Sequence, residues 1–314
     1  MRYLFWSILG IILLIQLIAY LLWRIALRSP SRKQCDDHFL SDDEQVRPLA
    51  RTIHAMIDTL NQLPYERVQI VSDDGKRLSG RFYHWNDGAP VVICMHGHRG
   101  TPSRDFSGGT QLYREAGCNL LMVEQRAHLS SDGNTITMGI LERYDCKRWV
   151  QFVIDRCGPD VRILLAGISM GAATVLLAAG GGLPKNVRGV IADSPYSSPK
   201  EILMNTIRAH HLPVWLTFAL LVYGAWLFGG INLLDKTANV VEAARAATVS
   251  ILLIHGEDDR FVPCEMSRAI AAANPERIDF YTFPDAGHGL SFLVDRERYS
   301  KIVRAFTDRV LSDA

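Results

Sequence analysis

Five short runs in this chain are apolar at every position: residues 91–95, 120–123, 163–166, 190–192 and 251–254. A strand with one wet face alternates apolar and polar residues, whereas a strand apolar throughout has to be covered on both sides. Helical spacing fills the gaps, at residues 109–116, 138–156, 170–179 and 263–273. The chain therefore reads as strand–helix units that build a mostly parallel, twisted sheet with helices on both faces. Two earlier strands, 65–71 and 78–85, flank Asp73-Asp74-Gly75-Lys76 and read as an antiparallel N-terminal hairpin at the sheet edge. A last strand, 278–283, leads into a C-terminal helix over about 291–311.

The third run ends in Gly167-Ile168-Ser169-Met170-Gly171, and a small-residue helical pattern follows at once. Gly-x-Ser-x-Gly between a buried strand and a helix is the sequence form of a turn that stands a serine clear of the sheet. A serine that attacks a carbonyl needs that position. Gly167 and Gly171 carry no Cβ to obstruct so tight a turn. A helix starting near Met170 aims amides and its positive end at the oxygen that becomes negative. Ser169 is the candidate nucleophile. A second amide donor is expected from the loop after an early strand, and Met95-His96-Gly97-His98-Arg99-Gly100 supplies such a loop. The backbone N–H groups of His98 and Met170 are assigned to the oxyanion hole. Read instead as a metal pair, His96-x-His98 has no third ligand at convincing spacing.

A serine nucleophile needs a base, and the base needs a carboxylate to hold its tautomer. In this architecture the chain order is serine, acid, histidine. The loop His255-Gly256-Glu257-Asp258-Asp259-Arg260-Phe261-Val262-Pro263 offers three acids, Glu257, Asp258 and Asp259, which spacing does not separate. Asp193 is a further candidate acid, for which a structural part is expected. His288, between Gly287 and Gly289 after the last strand, is the candidate base.

These stretches together resemble the α/β-hydrolase superfamily. Gly167-Ile168-Ser169-Met170-Gly171-Ala172 looks like its nucleophile elbow. The loop from His255 to Pro263 resembles the bacterial acid loop HG-x-x-D-x-x-VP, a register that implies Asp259 as the acid. Ala286-Gly287-His288 is similar to the family's histidine loop, Glu124-Gln125-Arg126-Ala127-His128 to its D-x-R-x-H-G segment, and Asp193-Ser194-Pro195-Tyr196 to its D-S-P-Y. Glu124 stands where Asp is usual and Leu129 where Gly is usual, which bears on the shape of that loop. The chain looks most like bacterial membrane-anchored, serine-aminopeptidase-like hydrolases. The resemblance implies an α/β-hydrolase fold over residues 65–314 with a helical cap insertion at about 196–248.

Before that domain, residues 4–27 are interrupted only by Ser7, Gln16 and Arg24, which is long enough to cross a bilayer. No small-residue cleavage site follows, and Trp6, Tyr20 and Trp23 sit near the ends as interfacial aromatics do. Residues 1–28 are expected to be an uncleaved anchor, and residues 29–64 a polar tether plus an amphipathic helix capped at Ser41. Arg24, Arg28, Arg32 and Lys33 follow the span and only Arg2 precedes it, which leans the domain toward the cytoplasmic face of the cell membrane. Residues 212–231 carry no charge. A second crossing there would put Ser169 and His288 on opposite sides of a bilayer, so this stretch is read as a cap over the site, apolar enough to shape an acyl pocket or touch the membrane surface.

The net charge of +1 gives no basic excess for nucleic acid. The six cysteines form no CxxC pair and read as free thiols. No phosphate loop, dinucleotide fingerprint or metal cluster is present, so no cofactor is expected. The function expected is a serine hydrolase cleaving a carboxylic ester with an apolar, lipid-like acyl group. Peptide, amide or thioester hydrolysis and a catalytically silent membrane-tethered binding module are the rivals. An aminopeptidase would want a cap carboxylate for the free amine, and Glu201 and Asp235 are the cap acids before Glu242.

Overall fold

The computed structural model describes residues 2–31, 34–40 and 42–312. Arg32, Lys33 and Ser41 lie outside them, so neither the charges at 32 and 33 nor the cap expected at Ser41 has a structural account. The elements run α1 (Arg2–Ala26), α2 (Ala50–Asn61), β1 (Glu66–Val71), β2 (Arg77–Tyr83), β3 (Val91–Met95), α3 (Pro102–Glu115), β4 (Asn119–Glu124), α4 (Glu142–Cys157), β5 (Ile163–Ile168), α5 (Met170–Gly180) and β6 (Val187–Asp193). There follow α6 (Pro199–Ala209), α7 (Val214–Gly229), α8 (Val240–Ala246), β7 (Ser250–Gly256), α9 (Cys264–Ala273), β8 (Ile278–Phe283), α10 (Ser291–Val294) and α11 (Arg296–Leu311).

The eight strands form one sheet in the order β1-β2-β4-β3-β5-β6-β7-β8. β1 and β2 are antiparallel to each other and β2 to β4, and every other pair is parallel. Alternate residues of each apolar run serve opposite faces. Ile93, Leu121, Leu165, Val190 and Leu253 enter a core with residues of α4, α5 and α8. Cys94, Met122, Ala166, Ile191 and Leu252 enter a second core with residues of α2, α3 and α11. This is why the runs carry no polar position: both sides of each strand are dry.

Two helix starts depart from the expected ones because side chains capture backbone amides. α3 begins seven residues before the expected 109, because Thr101 Oγ1 accepts from Arg104 N at 3.1 Å and Pro102 fits the first turn, where no N–H is needed. α4 begins at Glu142 rather than 138, because the Glu142 carboxylate takes the amides of Thr137 and Gly139, each at 2.8 Å, and holds the preceding chain in a turn. α2 begins at Ala50, after a 3₁₀ turn at Arg47–Leu49, well past the start expected near residue 41. The C-terminal helix is broken at Asp295, whose side chain caps α11 through Arg298 N at 3.0 Å. Leu129, where the resembling segment has Gly, keeps a left-handed φ of 49°. The loop thus retains a shape suited to glycine.

α1 is long and apolar enough to cross a membrane. Its last third packs along α7 rather than standing free: Ala19 and Trp23 are buried, and Tyr20 and Trp23 meet Phe228. The approach is close because Gly224 has no side chain; a Cβ there would lie 2.3 Å from Ala19 O. Replacing Gly224 by Leu is expected to push the two helices apart at a cost of about 1–3 kcal/mol. The check is thermal unfolding of the full chain in detergent, where an unchanged midpoint would contradict the packing.

Candidate active site

Five parallel strands deliver their loops to one edge of the sheet, the carboxyl edge where open α/β sheets bind ligands. The loops after β3, β5, β6, β7 and β8 bring His98, Ser169, Ser194, Asp259 and His288 to that edge. Ser169 stands between β5 and α5 at φ 56° and ψ −116°, a backbone state that costs a non-glycine residue on the order of 1–3 kcal/mol. Its surroundings impose that state. A Cβ on Gly167 would lie 2.3 Å from Gly171 O, and one on Gly171 would lie 1.8 Å from Met95 O. Ser169 N donates to Asp193 O at 2.8 Å and Ala173 N to Ser169 O at 3.0 Å, so both sides of the turn are tied down.

His288 Nε2 lies 2.8 Å from Ser169 Oγ, and His288 Nδ1 lies 2.6 Å from Asp259 Oδ2. The Asp259 carboxylate is buried and held from several directions. Oδ1 accepts the amides of Phe261 at 2.9 Å and Val262 at 2.8 Å, while His255 Nε2 sits 3.2 Å from Oδ2. Burial by itself would raise its pKa; the hydrogen bonds from His255 and His288 and the His288 charge outweigh that and hold it well below the usual carboxylate range. For His288 burial pulls downward, but the Asp259 hydrogen bond and charge prevail, so its pKa is raised.

The other candidate acids point elsewhere. Glu257 accepts from Thr282 Oγ1 at 2.5 Å and Asp258 is exposed. Asp193 accepts from Ser194 Oγ at 2.9 Å and Tyr299 OH at 3.2 Å, tying β6 to α11. His96 and His98 diverge. His96 donates through Nδ1 to Gly97 O at 2.8 Å and accepts Gln125 N at Nε2 at 3.1 Å. His98 donates through Nε2 to Ala26 O at 2.9 Å. Burial pulls His96 down to about 4 and His98 down to about 3, so both imidazoles stay neutral.

The amides of the loop after β3 are largely committed. Gly97 N donates to Asp105 Oδ2 at 2.7 Å, Arg99 N to His128 Nε2 at 3.1 Å and Gly100 N to Gly97 O at 3.0 Å. Among the described residues the amides of His98 and Met170 have no protein acceptor. The loop is also tied to α1: Arg99 Nη2 donates to Ile25 O at 2.6 Å and Arg28 O at 3.2 Å.

Ser169 and His288 open into a cavity of about 590 Å³. Its walls are mainly apolar, with Phe106, Tyr113, Ile202, Leu203, Phe261 and Phe292 among them. Two departures from the sequence expectation stand out. The uncharged stretch read as a cap divides in function: α6 contributes Ile202, Leu203 and Thr206 to the wall, whereas no residue of α7 lines the cavity, since α7 is engaged along α1. The stretch read as a tether does line it, through Gln34, Phe39 and Leu40, together with Val46, Ile53 and Met56. Arg104 holds that segment in place, donating to Phe39 O at 2.6 Å. Asp105 and His255 were not singled out in the sequence. The histidine of the HG-x-x-D loop was the available signal for His255, since it backs the same carboxylate that His288 uses.

The family model described as the alpha/beta hydrolase family matches residues 91–302. YqkD of Bacillus subtilis strain 168 is 24% identical over 271 residues, 86% of this chain and 88% of that protein. YfhR of Escherichia coli K12 is 26% identical over 230 residues, 71% and 73% of the two chains. Among solved structures, the Pyrococcus furiosus esterase Pf2001 superposes with a TM-score of 0.67 at 22% identity, over 91% of this chain and 99% of that one. The Pyrococcus horikoshii acylaminoacyl peptidase superposes with a TM-score of 0.60 at 17% identity, over 83% of this chain and 44% of that one. With the family's sequence pattern running from β3 into α11, and the same sheet recurring in those structures, the chain belongs to the alpha/beta hydrolase family.

Proposed function

We propose that this hydrolase cleaves a carboxylic ester with an apolar acyl group, using Ser169 as nucleophile, His288 as base and acid, and Asp259 to orient His288. The observation that carries this reading is the unbroken line of hydrogen-bond distances, 2.8 Å from Ser169 Oγ to His288 Nε2 and 2.6 Å from His288 Nδ1 to Asp259 Oδ2. Ser169 Oγ adds to the ester carbonyl as its proton passes to His288 Nε2. The oxygen that turns negative is met by the amides of His98 and Met170. Collapse expels the alkoxide, which takes the proton from His288, and leaves an acyl group on Ser169. Water, deprotonated by His288, then attacks that acyl group; collapse breaks the bond to Ser169 Oγ, releases the carboxylic acid and returns the proton from His288 to the serine. Gly167 and Gly171 serve as the small residues that leave room for the elbow.

An ester fits the cavity better than a peptide with a free amine. Such an amine needs an unengaged carboxylate. Of the acids that line the cavity, Asp105 accepts Gly97 N and Asp193 is taken by Ser194 and Tyr299. Asp235 pairs with Arg143 at 3.1 Å and Glu201 is exposed, away from the cavity lining. We also propose that α1 is retained as a single membrane anchor. Cleavage after it would strip Ile25 and Ala26 from the cavity wall and remove the carbonyls that His98 and Arg99 bind. Arg24 and Arg28, at the end of that helix, support a cytoplasmic domain.

Ser169→Ala is expected to abolish labelling by a fluorophosphonate probe and to lower kcat on a p-nitrophenyl ester by about a thousandfold or more. Equal labelling of the two proteins would reject the nucleophile. The pH profile tests the base. A raised pKa means His288 keeps its proton to higher pH, and only the neutral imidazole can accept the serine proton. kcat/KM for a short soluble ester should therefore fall as pH drops through an inflection above the ordinary histidine value of about 6.5. A flat profile between about pH 5 and 8 would count against His288.

A further inference from the structure

The end of the membrane-length helix is part of the cavity. Ile25 and Ala26 line it, and Ile25 is also 68% exposed, so it stands at the rim. Before that turn, α1 exposes apolar side chains over most of its length, Ile8, Ile12, Leu14, Leu17 and Leu21 among them. α7 continues that surface. Packed along α1, it leaves Trp215 at 70% and Trp226 at 64% exposed, with Leu216 and Leu227 beside them. At 16 residues α7 is about 24 Å long, shorter than the ~30 Å hydrocarbon core, so it suits a position against the bilayer beside α1 rather than a crossing. Contiguous apolar surface of this extent is rare on a protein that faces only water. Arg24 and Arg28 mark where α1 returns to the polar interface. With α1 read as a membrane span, the rim of the cavity would fall at the boundary of lipid tails and headgroups, and the apolar walls run from the rim to Ser169.

We propose that the substrate is a long-chain ester resident in the bilayer, whose acyl chain enters the cavity sideways past Ile25 without passing through water. This rests on the ester-hydrolase reading above and names the source of its substrate. A lipid in the leaflet meets one continuous apolar path: the tails around α1, the rim at Ile25, then Phe39 and Leu40 on the inner wall.

The test reconstitutes the full chain in phosphatidylcholine vesicles. A fluorogenic oleate ester is placed in the same vesicles or in separate ones at equal bulk concentration, and the matching acetate ester is added in solution. Lateral entry predicts that oleate turnover in the enzyme's own vesicles is at least tenfold faster than from separate vesicles. It also predicts that turnover follows the mole fraction of ester in the bilayer when plain lipid dilutes it at fixed bulk concentration. Ile25→Arg, which puts a charge at the rim, should lower the oleate-to-acetate rate ratio at least fivefold, with fluorophosphonate labelling of Ser169 reporting that the variant is folded. Acetate turnover with equal oleate rates from the two vesicle arrangements, or with rates that track bulk concentration, would overturn the lateral route alone. No acetate turnover and no labelling would overturn the hydrolase reading and this proposal with it.

Discussion

The approach of α5 to the end of β3 governs the rest of the site. A Cβ on Gly171 would lie 1.8 Å from Met95 O, so the first turn of the helix and the strand end share a space that admits no side chain. That contact fixes where α5 begins, and its start places Ser169 at positive φ and Met170 N at the head of the helix dipole. It also brings the loop after β3 against the same turn, so the amides of His98 and Met170 come from two segments packed on one another. Ser169 and those two amides are positioned by one steric exclusion rather than by separate devices.

The second determinant is electrostatic. Burial by itself drives a carboxylate toward its protonated form. Asp259 avoids this because two backbone amides reach Oδ1 while His288 and His255 approach Oδ2. The amides of Phe261 and Val262 come from the tight loop before α9, so loop shape and the ionisation of the acid are the same fact. His255 is itself set by Ser267 at 2.7 Å and Val262 O at 2.9 Å, and so ties the carboxylate to β7 and α9. A fixed negative charge at that spot then raises the basicity of His288 toward Ser169.

How much of this was legible in the sequence follows from the range of the interactions involved. The strands were legible because burial on both faces removes every polar residue from a run, a local signature. Ser169 and His288 were legible because glycines on both sides answer to local backbone geometry. Asp259 was not separable from Glu257 and Asp258 by spacing alone, since which of three consecutive acids turns inward depends on amides further along the loop; the family register pointed to it. The starts of α3 and α4 were missed where single side chains, Thr101 and Glu142, capture backbone amides. The division between α6 and α7 was illegible for a different reason. An uncharged helix looks the same whether it covers a cavity or lies along a second apolar helix, and the packing of Gly224 on Ala19 and of Phe228 on Tyr20 and Trp23 decides between them.

The same long-range blindness hid the part played by α1. A helix end leaves its last carbonyls without partners, and some group has to supply donors. Here the donors come from the loop after β3: Arg99 reaches Ile25 O and, just past the helix, Arg28 O, and His98 reaches Ala26 O. The bond to Ala26 fixes His98 as the tautomer that carries its proton on Nε2, and burial keeps that ring neutral. Leu27 O also accepts Ile136 N at 2.6 Å, which extends the attachment to the segment before α4. An apolar helix that only tethered the domain could leave those carbonyls to water. Because the carbonyls of Ile25 and Ala26 accept from side chains of the loop after β3, the end of α1 and that loop are held as one unit, and under the proposed mechanism a displacement of the helix would carry to the His98 amide.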